Sequence, residues 1–289
     1  MKTKILFSIT VLFLVSLFIR VYGLENSPAS LGFDEAGLGY NAYTISQNGR
    51  DEFGNLLPLS LRSFNDYKPA LYTYLAVPGV KLFGLSQTTT RLPSAVAGAI
   101  AVIVGLLIFK KITRISWSTS LLIYLFIGFL PWRIHFSRVA LESNLAMLFF
   151  SIAFLSILYL RQKKIAVIGL IVSSVLAIYT YHSARLAIPL LILLSVLDPL
   201  NNTVTEMWKN KRNLLYRLVP LLIILALSIP IFKENGTDVL TRFSQTNIFA
   251  KYYPYAPKEV LEKSPFLYLA NNPIYYLAGD IVGRVTAYF

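Results

Sequence analysis

The chain has 289 residues, of which 55% are hydrophobic and only 14% charged, and its mean hydropathy is +0.59. Several apolar runs approach the length needed to cross a bilayer, which excludes an ordinary water-soluble domain and points to an all-α, polytopic membrane protein. The net charge of +13 comes from short Lys/Arg clusters between apolar runs, a topology pattern and not a nucleic-acid face, and without cysteine there is neither a disulfide framework nor a thiolate zinc site.

The first apolar run, "ILFSITVLFLVSLFI", follows "MKTK" and has no small-residue cleavage site behind it, so it reads as a retained first span over 4–22. Six further spans are predicted at 92–109, 117–132, 143–160, 165–181, 185–198 and 214–232. The segment "PALYTYLAVPGVKLFG" at 69–84 contains Pro69, Pro78, Gly79 and Lys81. Its continuous apolar part falls short of a hydrocarbon core of ~30 Å. Treated as non-spanning, it leaves Lys2/Lys4, Lys110/Lys111/Arg114, Arg161/Lys163/Lys164 and Lys209/Lys211/Arg212 on one side, as cytoplasmic loops require. The expected topology therefore has seven spans, a cytoplasmic N-terminus, an external loop at 24–91 with an interfacial or re-entrant segment at 69–84, and an external segment at 233–289. The ending "GDIVGRVTAYF" has no charged stop, so a fragment leading into further helices is expected.

Within the external loop, "DEAGLGYNAYTISQNG" opens on two acids and closes on Asn-Gly, which predicts a short helix with a defined start and stop. "GRDEFGNLLP" reads as turn-rich. No repeat of 20 to 50 residues and no low-complexity linker is present.

Under this topology the outer face collects the polar chemistry: Asp34, Glu35, Asp66 and Lys68 in the first loop, Arg133, His135, Arg138 and Glu142 in "PWRIHFSRVALESN", and His182 and Arg185 in "YTYHSAR". Any one of these could snorkel from a helix end. Both histidines of the chain lie in this set with Arg and carboxylates, which favours a site, and the forked guanidinium suits an anionic head group. Asp34 and Glu35 point about 100° apart on a helix, so one can face a substrate while the other orients a loop or pairs with a base; spacing alone does not choose. Scattered His and acids without HExxH-like spacing give a divalent metal only a weak claim. Tyr67, Tyr72 and Tyr74 either stack on sugar or anchor at the interface, and anchoring is the commoner use.

"GFDEAGLGYNAY", "DYKPALYTYLAVPGVKLFGLSQTTTRLPSAVAG", "PWRIHFSRVALESN" and "YTYHSARLAIPLLIL" together resemble the GT-C membrane glycosyltransferases of the protein O-mannosyltransferase and aminoarabinose transferase group, and the resemblance runs in order through the whole chain. It implies transfer of one sugar from a polyprenyl-phosphate carrier to a protein, lipid or glycan hydroxyl at the outer face of the plasma membrane, with no nucleic acid partner and no certain cofactor. The Asp of the Asp-Glu pair, the family's base, maps onto Asp34, with Glu35 beside it as the second expected catalytic residue. The Lys that meets the carrier phosphate in the aminoarabinose branch maps onto Lys68, although Ala70 stands where a second proline is usual. Arg138 matches a further phosphate contact, followed by Arg185 and His182, while Tyr67, His135 and Glu142 are candidate sugar or acceptor contacts. The family carries more helices than the seven spans predicted here and often an external domain after them, which fits the expected fragment. Two other classes compete. A transporter or lipid flippase needs midplane charge and repeated halves, which the spans lack. A non-catalytic lipid-binding assembly subunit would tolerate loss of Asp34.

Overall fold

The computed structural model describes residues 2–63, 66–160, 163–197 and 211–234. The expected external segment at 233–289 lies almost wholly outside them. Helix α1 (Lys2–Val21) carries Leu6, Phe7 and Phe18 each more than 60% exposed, the surface expected of a helix whose solvent is lipid. Helix α2 (Phe33–Asn48) starts where the acids predict. The Glu35 carboxylate returns to the Gly32 amide at 3.0 Å, and Gly49 in the left-handed region (φ 73°) ends the helix.

The turn-rich stretch folds around Asp51, whose carboxylate accepts from the amides of Phe53 and Asn55 at 3.0 and 2.8 Å. A hairpin follows, β1 (Ser60–Ser63) antiparallel to β2 (Asp66–Pro69), with Leu61 opposite Lys68. Helix α3 (Leu71–Phe83) has 13 residues, about 20 Å at ~1.5 Å per residue, too short to cross a bilayer. It packs on α2 and the hairpin through Ala42, Ala76 and Val80, and through Ile45, Leu61 and Ala70. Tyr72 is fully buried and donates to the Thr90 carbonyl at 2.9 Å, so it is neither a sugar platform nor an interface anchor. Tyr74 donates to Pro58 O at 2.8 Å.

Helix α4 (Gln87–Thr113) is the central element. Ser86 caps it by accepting from the Thr89 amide at 3.2 Å, and its buried face includes Ser94, Ala95, Ala97, Gly98 and Ala99, small residues that let neighbouring helices approach. A Cβ at Gly39 of α2 would come within 2.5 Å of Thr90 Oγ1, so glycine there sets how closely α2 lies on α4.

The expected single span at 117–132 is instead two helices, α5 (Trp117–Gly128) and α6 (Pro131–Ser137), bent by 65°. Pro131 at the first position of α6 both ends one helix and starts the next. Helices α7 (Glu142–Tyr159), α8 (Ile165–Ile178), α9 (Ala184–Leu197) and α10 (Lys211–Glu234) match the remaining predicted segments. Their shared core contains Ala153, Leu170, Ile178, Ile188, Ile192 and Ile224. By length and apolarity, α1, α4 and α7 can each cross a membrane and the α5–α6 pair can form a broken span; α8, α9 and the apolar part of α10 are shorter. The chain is thus a multi-pass, helical membrane protein, with α2, the hairpin and α3 as a subassembly on α4.

Candidate active site

Two neighbouring carboxylates leave the first turn of α2 in different directions. Glu35 turns inward and is 4% exposed. Its Oε1 accepts from Arg91 Nε at 2.9 Å and from the Ala140 amide at 2.7 Å; its Oε2 accepts from Arg91 Nη2 at 3.1 Å and from the Gly32 amide at 3.0 Å. Burial pushes the carboxyl up, but the Arg91 guanidinium and the two amides outweigh it and hold Glu35 below the usual carboxylate range.

Arg91, in the first turns of α4, is 0% exposed and also donates to the carbonyls of Leu24, Pro28 and Ser30 at 3.1, 2.8 and 2.7 Å. One ion pair therefore joins α4, the segment after α1, the start of α2 and the segment before α7. All of Glu35's bonding capacity faces protein, so the expectation that it serves chemistry beside Asp34 has no support in this geometry. Arg91 receives no role in the sequence reading, although "RLPSA" carries it; an Arg beginning a long apolar helix was the available sign.

Asp34 turns outward, its side chain 65% exposed, and accepts from Lys68 Nζ at 2.5 Å. The Lys68 side chain is 13% exposed, held by β2 across from Leu61. His182 supports the same strand: its Nε2 lies 2.7 Å from Tyr67 O. The Leu71 amide reaches Tyr179 O at 3.4 Å, so the α8–α9 connection pins both the hairpin's end and the start of α3. Tyr67 is 37% exposed. Glu142, at the start of α7 and 7% exposed, lies within the electrostatic reach of both Lys68 and Asp34. Asp34, Lys68 and Glu142 thus come from α2, β2 and α7 to form one charged centre.

The other predicted phosphate contacts go elsewhere. Arg138 donates from Nε to Ser27 O, from Nη1 to the carbonyls of Ile19, Arg20 and Tyr22, and from Nη2 to those of Gly23 and Ser27, at 2.8 to 3.2 Å. A cation over the orphan carbonyls of a helix end is a strong cap, and Arg138 fixes the end of α1 with its whole fork. Arg185 is buried at the start of α9, its guanidinium 5.4 Å from the centre of the Phe232 ring of α10. His135 is exposed on α6, edge-on to Phe136 with centroids 6.4 Å apart. Among the described residues no three His, Asp or Glu side chains are grouped to hold a metal ion.

A cleft of about 320 Å³ between α3, α4 and α7 is lined by Leu75, Val96, Ile100, Leu145 and Phe149 among other mainly apolar residues.

These features define a multi-pass membrane protein with a charged centre built where the α2 subassembly meets the helical bundle. The fold is GT-C-like. The crystal structure of ArnT from Cupriavidus metallidurans in the apo state superposes with a TM-score of 0.54 at 17% identity, over 89% of this chain and 44% of that one. The crystal structure of the same protein bound to undecaprenyl phosphate gives 0.53 at 17% identity, over 82% of this chain and 41% of that one. The chain spans less than half the length of these neighbours. No protein-family profile and no curated protein matches it.

Proposed function

We propose that this protein is a membrane glycosyltransferase that moves one sugar from a polyprenyl-phosphate donor to an acceptor hydroxyl, with Asp34 as the base. The observation that carries the reading is the division of labour in the Asp-Glu pair. Glu35 is consumed by Arg91 and backbone amides, while Asp34 stands exposed beside a lysine. The ArnT-like fold, with one neighbour bound to undecaprenyl phosphate, supports the donor class.

In the proposed step the Asp34 carboxylate accepts the proton of the acceptor O–H as that oxygen attacks the anomeric carbon. The bond from the anomeric carbon to the phosphate oxygen breaks, and the lipid phosphate leaves with the electron pair. Proton abstraction of this kind contributes roughly 10²- to 10⁴-fold. Lys68 has three donors on its ammonium, so it can keep Asp34 in place and still meet a phosphate oxygen as negative charge develops. With Asp34 as the base and Glu142 given no covalent role, the reading is a single displacement, which inverts the anomeric carbon. Glu142, close enough to Lys68 and Asp34 for their charges to act on it, is our candidate acceptor of a hydrogen bond from a sugar or acceptor hydroxyl. Tyr67, beside Lys68 on β2 and partly exposed, can contact the sugar. His182 is a positioning residue, acting through the Tyr67 backbone. The apolar cleft behind α3 offers the surface an isoprenoid chain requires, and the Lys/Arg distribution supports the outer face for this centre.

The test is reconstitution in proteoliposomes with a panel of polyprenyl-phosphate monosaccharides and acceptor extracts, following donor loss by mass spectrometry. Consumption of one donor is expected. Folded protein that consumes none of them would overturn the proposal.

A further inference from the structure

A second cavity, of about 330 Å³, opens between α1, α4, α6 and α7, and its lining contains two arginines, Arg20 and Arg133, and no carboxylate. Arg20 is 1% exposed. Its Nη1 donates to Ser16 O and Oγ at 3.1 and 2.6 Å and its Nη2 to Gly128 O at 3.2 Å, but its buried Nε has no hydrogen-bond partner. Gly98, on the cavity wall, lies close against that nitrogen: a Cβ there would come within 2.9 Å of it and 2.3 Å of Ser137 Cβ, so only glycine fits beside the guanidinium. Arg133 donates from Nη1 to the Tyr124 hydroxyl at 3.3 Å and is close enough for its charge to act on Arg20.

Two like charges, one of them buried with an unmet donor, are costly unless a counter-charge joins them. Among the described residues no acidic side chain lines the cavity to provide it. The remaining wall carries Trp132 and Met147, 70% and 45% exposed, with Phe136, Ser143 and Asn144, whose amide nitrogen donates to Ser94 O and Oγ at 3.0 and 2.9 Å. Exposed Trp beside a buried cation is the arrangement of a head-group depth site, where one end of a ligand is anionic and the other is hydrocarbon.

We infer that this cavity binds the phosphate of an anionic membrane lipid, with the phosphate between Arg20 and Arg133 and the first carbons of the lipid against Trp132 and Met147. The inference does not depend on the transferase reading, because none of these residues belongs to the Asp34–Lys68 centre.

Trp132 is a built-in reporter. In the full chain carrying Trp117→Phe and Trp208→Phe, its fluorescence is titrated in vesicles of phosphatidylcholine containing tail-brominated phosphatidylglycerol or tail-brominated phosphatidylcholine. Charge-assisted hydrogen bonds predict a preference of roughly tenfold for the anionic lipid. Arg133→Gln should bring that preference close to one, and Ala101→Leu, which keeps both charges but fills the cavity, should do the same. No preference in the parent chain, or a preference that survives both substitutions, would overturn the site. Loss of the preference on adding millimolar inorganic phosphate would overturn the lipid assignment, since a free anion would then be the ligand.

Discussion

The Arg91–Glu35 pair and the Lys68–Asp34 pair begin one residue apart on α2 and have the same chemical composition, a cation and a carboxylate, yet they are built for opposite tasks. In the first, both partners are buried and other polar groups surround them: three loop carbonyls accept from Arg91, and two amides donate to Glu35. In the second, the acid is largely exposed and pairs with a lysine whose side chain is only 13% exposed. A saturated buried pair is a structural joint, because leaving either charge alone in the interior is expensive. A pair whose acid is open to solvent loses less when it opens, so Asp34 can be lent to a substrate while Lys68 stays packed on β2. The α2 helix therefore uses Glu35 to hold its first turn still and Asp34 to face outward from it.

The comparison breaks most severely at Arg91. Arg91→Met leaves the Glu35 carboxylate buried without its cation and should destabilise the protein by about 3–5 kcal/mol, read as a lower unfolding midpoint in detergent micelles. Next comes Lys68→Met, which leaves the midpoint nearly unchanged but weakens donor use by about 1.5–3 kcal/mol, roughly tenfold to a hundredfold in kcat/KM. Arg138→Gln distinguishes a helix cap from a phosphate ligand. It should cost about 1–2 kcal/mol of stability while donor affinity holds, whereas a phosphate ligand would lose affinity first.

The smallest effect is in pH. The folded-state pKa of Glu35 lies below its ordinary 4.5, so the pair's stabilisation is present above that value and is lost as pH falls through the folded-state pKa. Unfolding titrations should show an acid-side loss in the parent that is reduced in Glu35→Gln.

Much of this architecture was legible because it rests on local rules. Apolar length marked the helical segments, the Asp-Glu start and Asn-Gly stop marked α2, and the short apolar part of 69–84 marked α3 as non-spanning. The break at Pro131 was a local sign passed over, since proline begins α6 and the preceding segment was read straight through. The hairpin was not legible, because "SLRSFNDYKP" has no alternating apolar pattern and its Leu61 is held by Ile45 of α2 and Ala70 at the turn into α3.

Nor did spacing distinguish the arginines. Arg138 pairs with carbonyls more than 110 residues earlier, and Arg91 with a carboxylate 56 residues earlier, so which guanidinium is occupied by the fold depends on contacts that no local pattern encodes. The Asp34–Lys68 juxtaposition is likewise 34 residues apart, and only the motif resemblance linked the two.

The most direct measurement takes Asp34→Asn and Glu35→Gln in matched proteoliposomes and records donor turnover and unfolding midpoint on the same preparations. Asp34→Asn should lose roughly 10²- to 10⁴-fold in turnover with its midpoint unchanged, and Glu35→Gln should lower the midpoint by about 1–3 kcal/mol in stability while the surviving folded protein still turns over donor. Full turnover by Asp34→Asn, or a Glu35→Gln protein that is as stable as the parent and inactive, would contradict the division of roles between the two carboxylates.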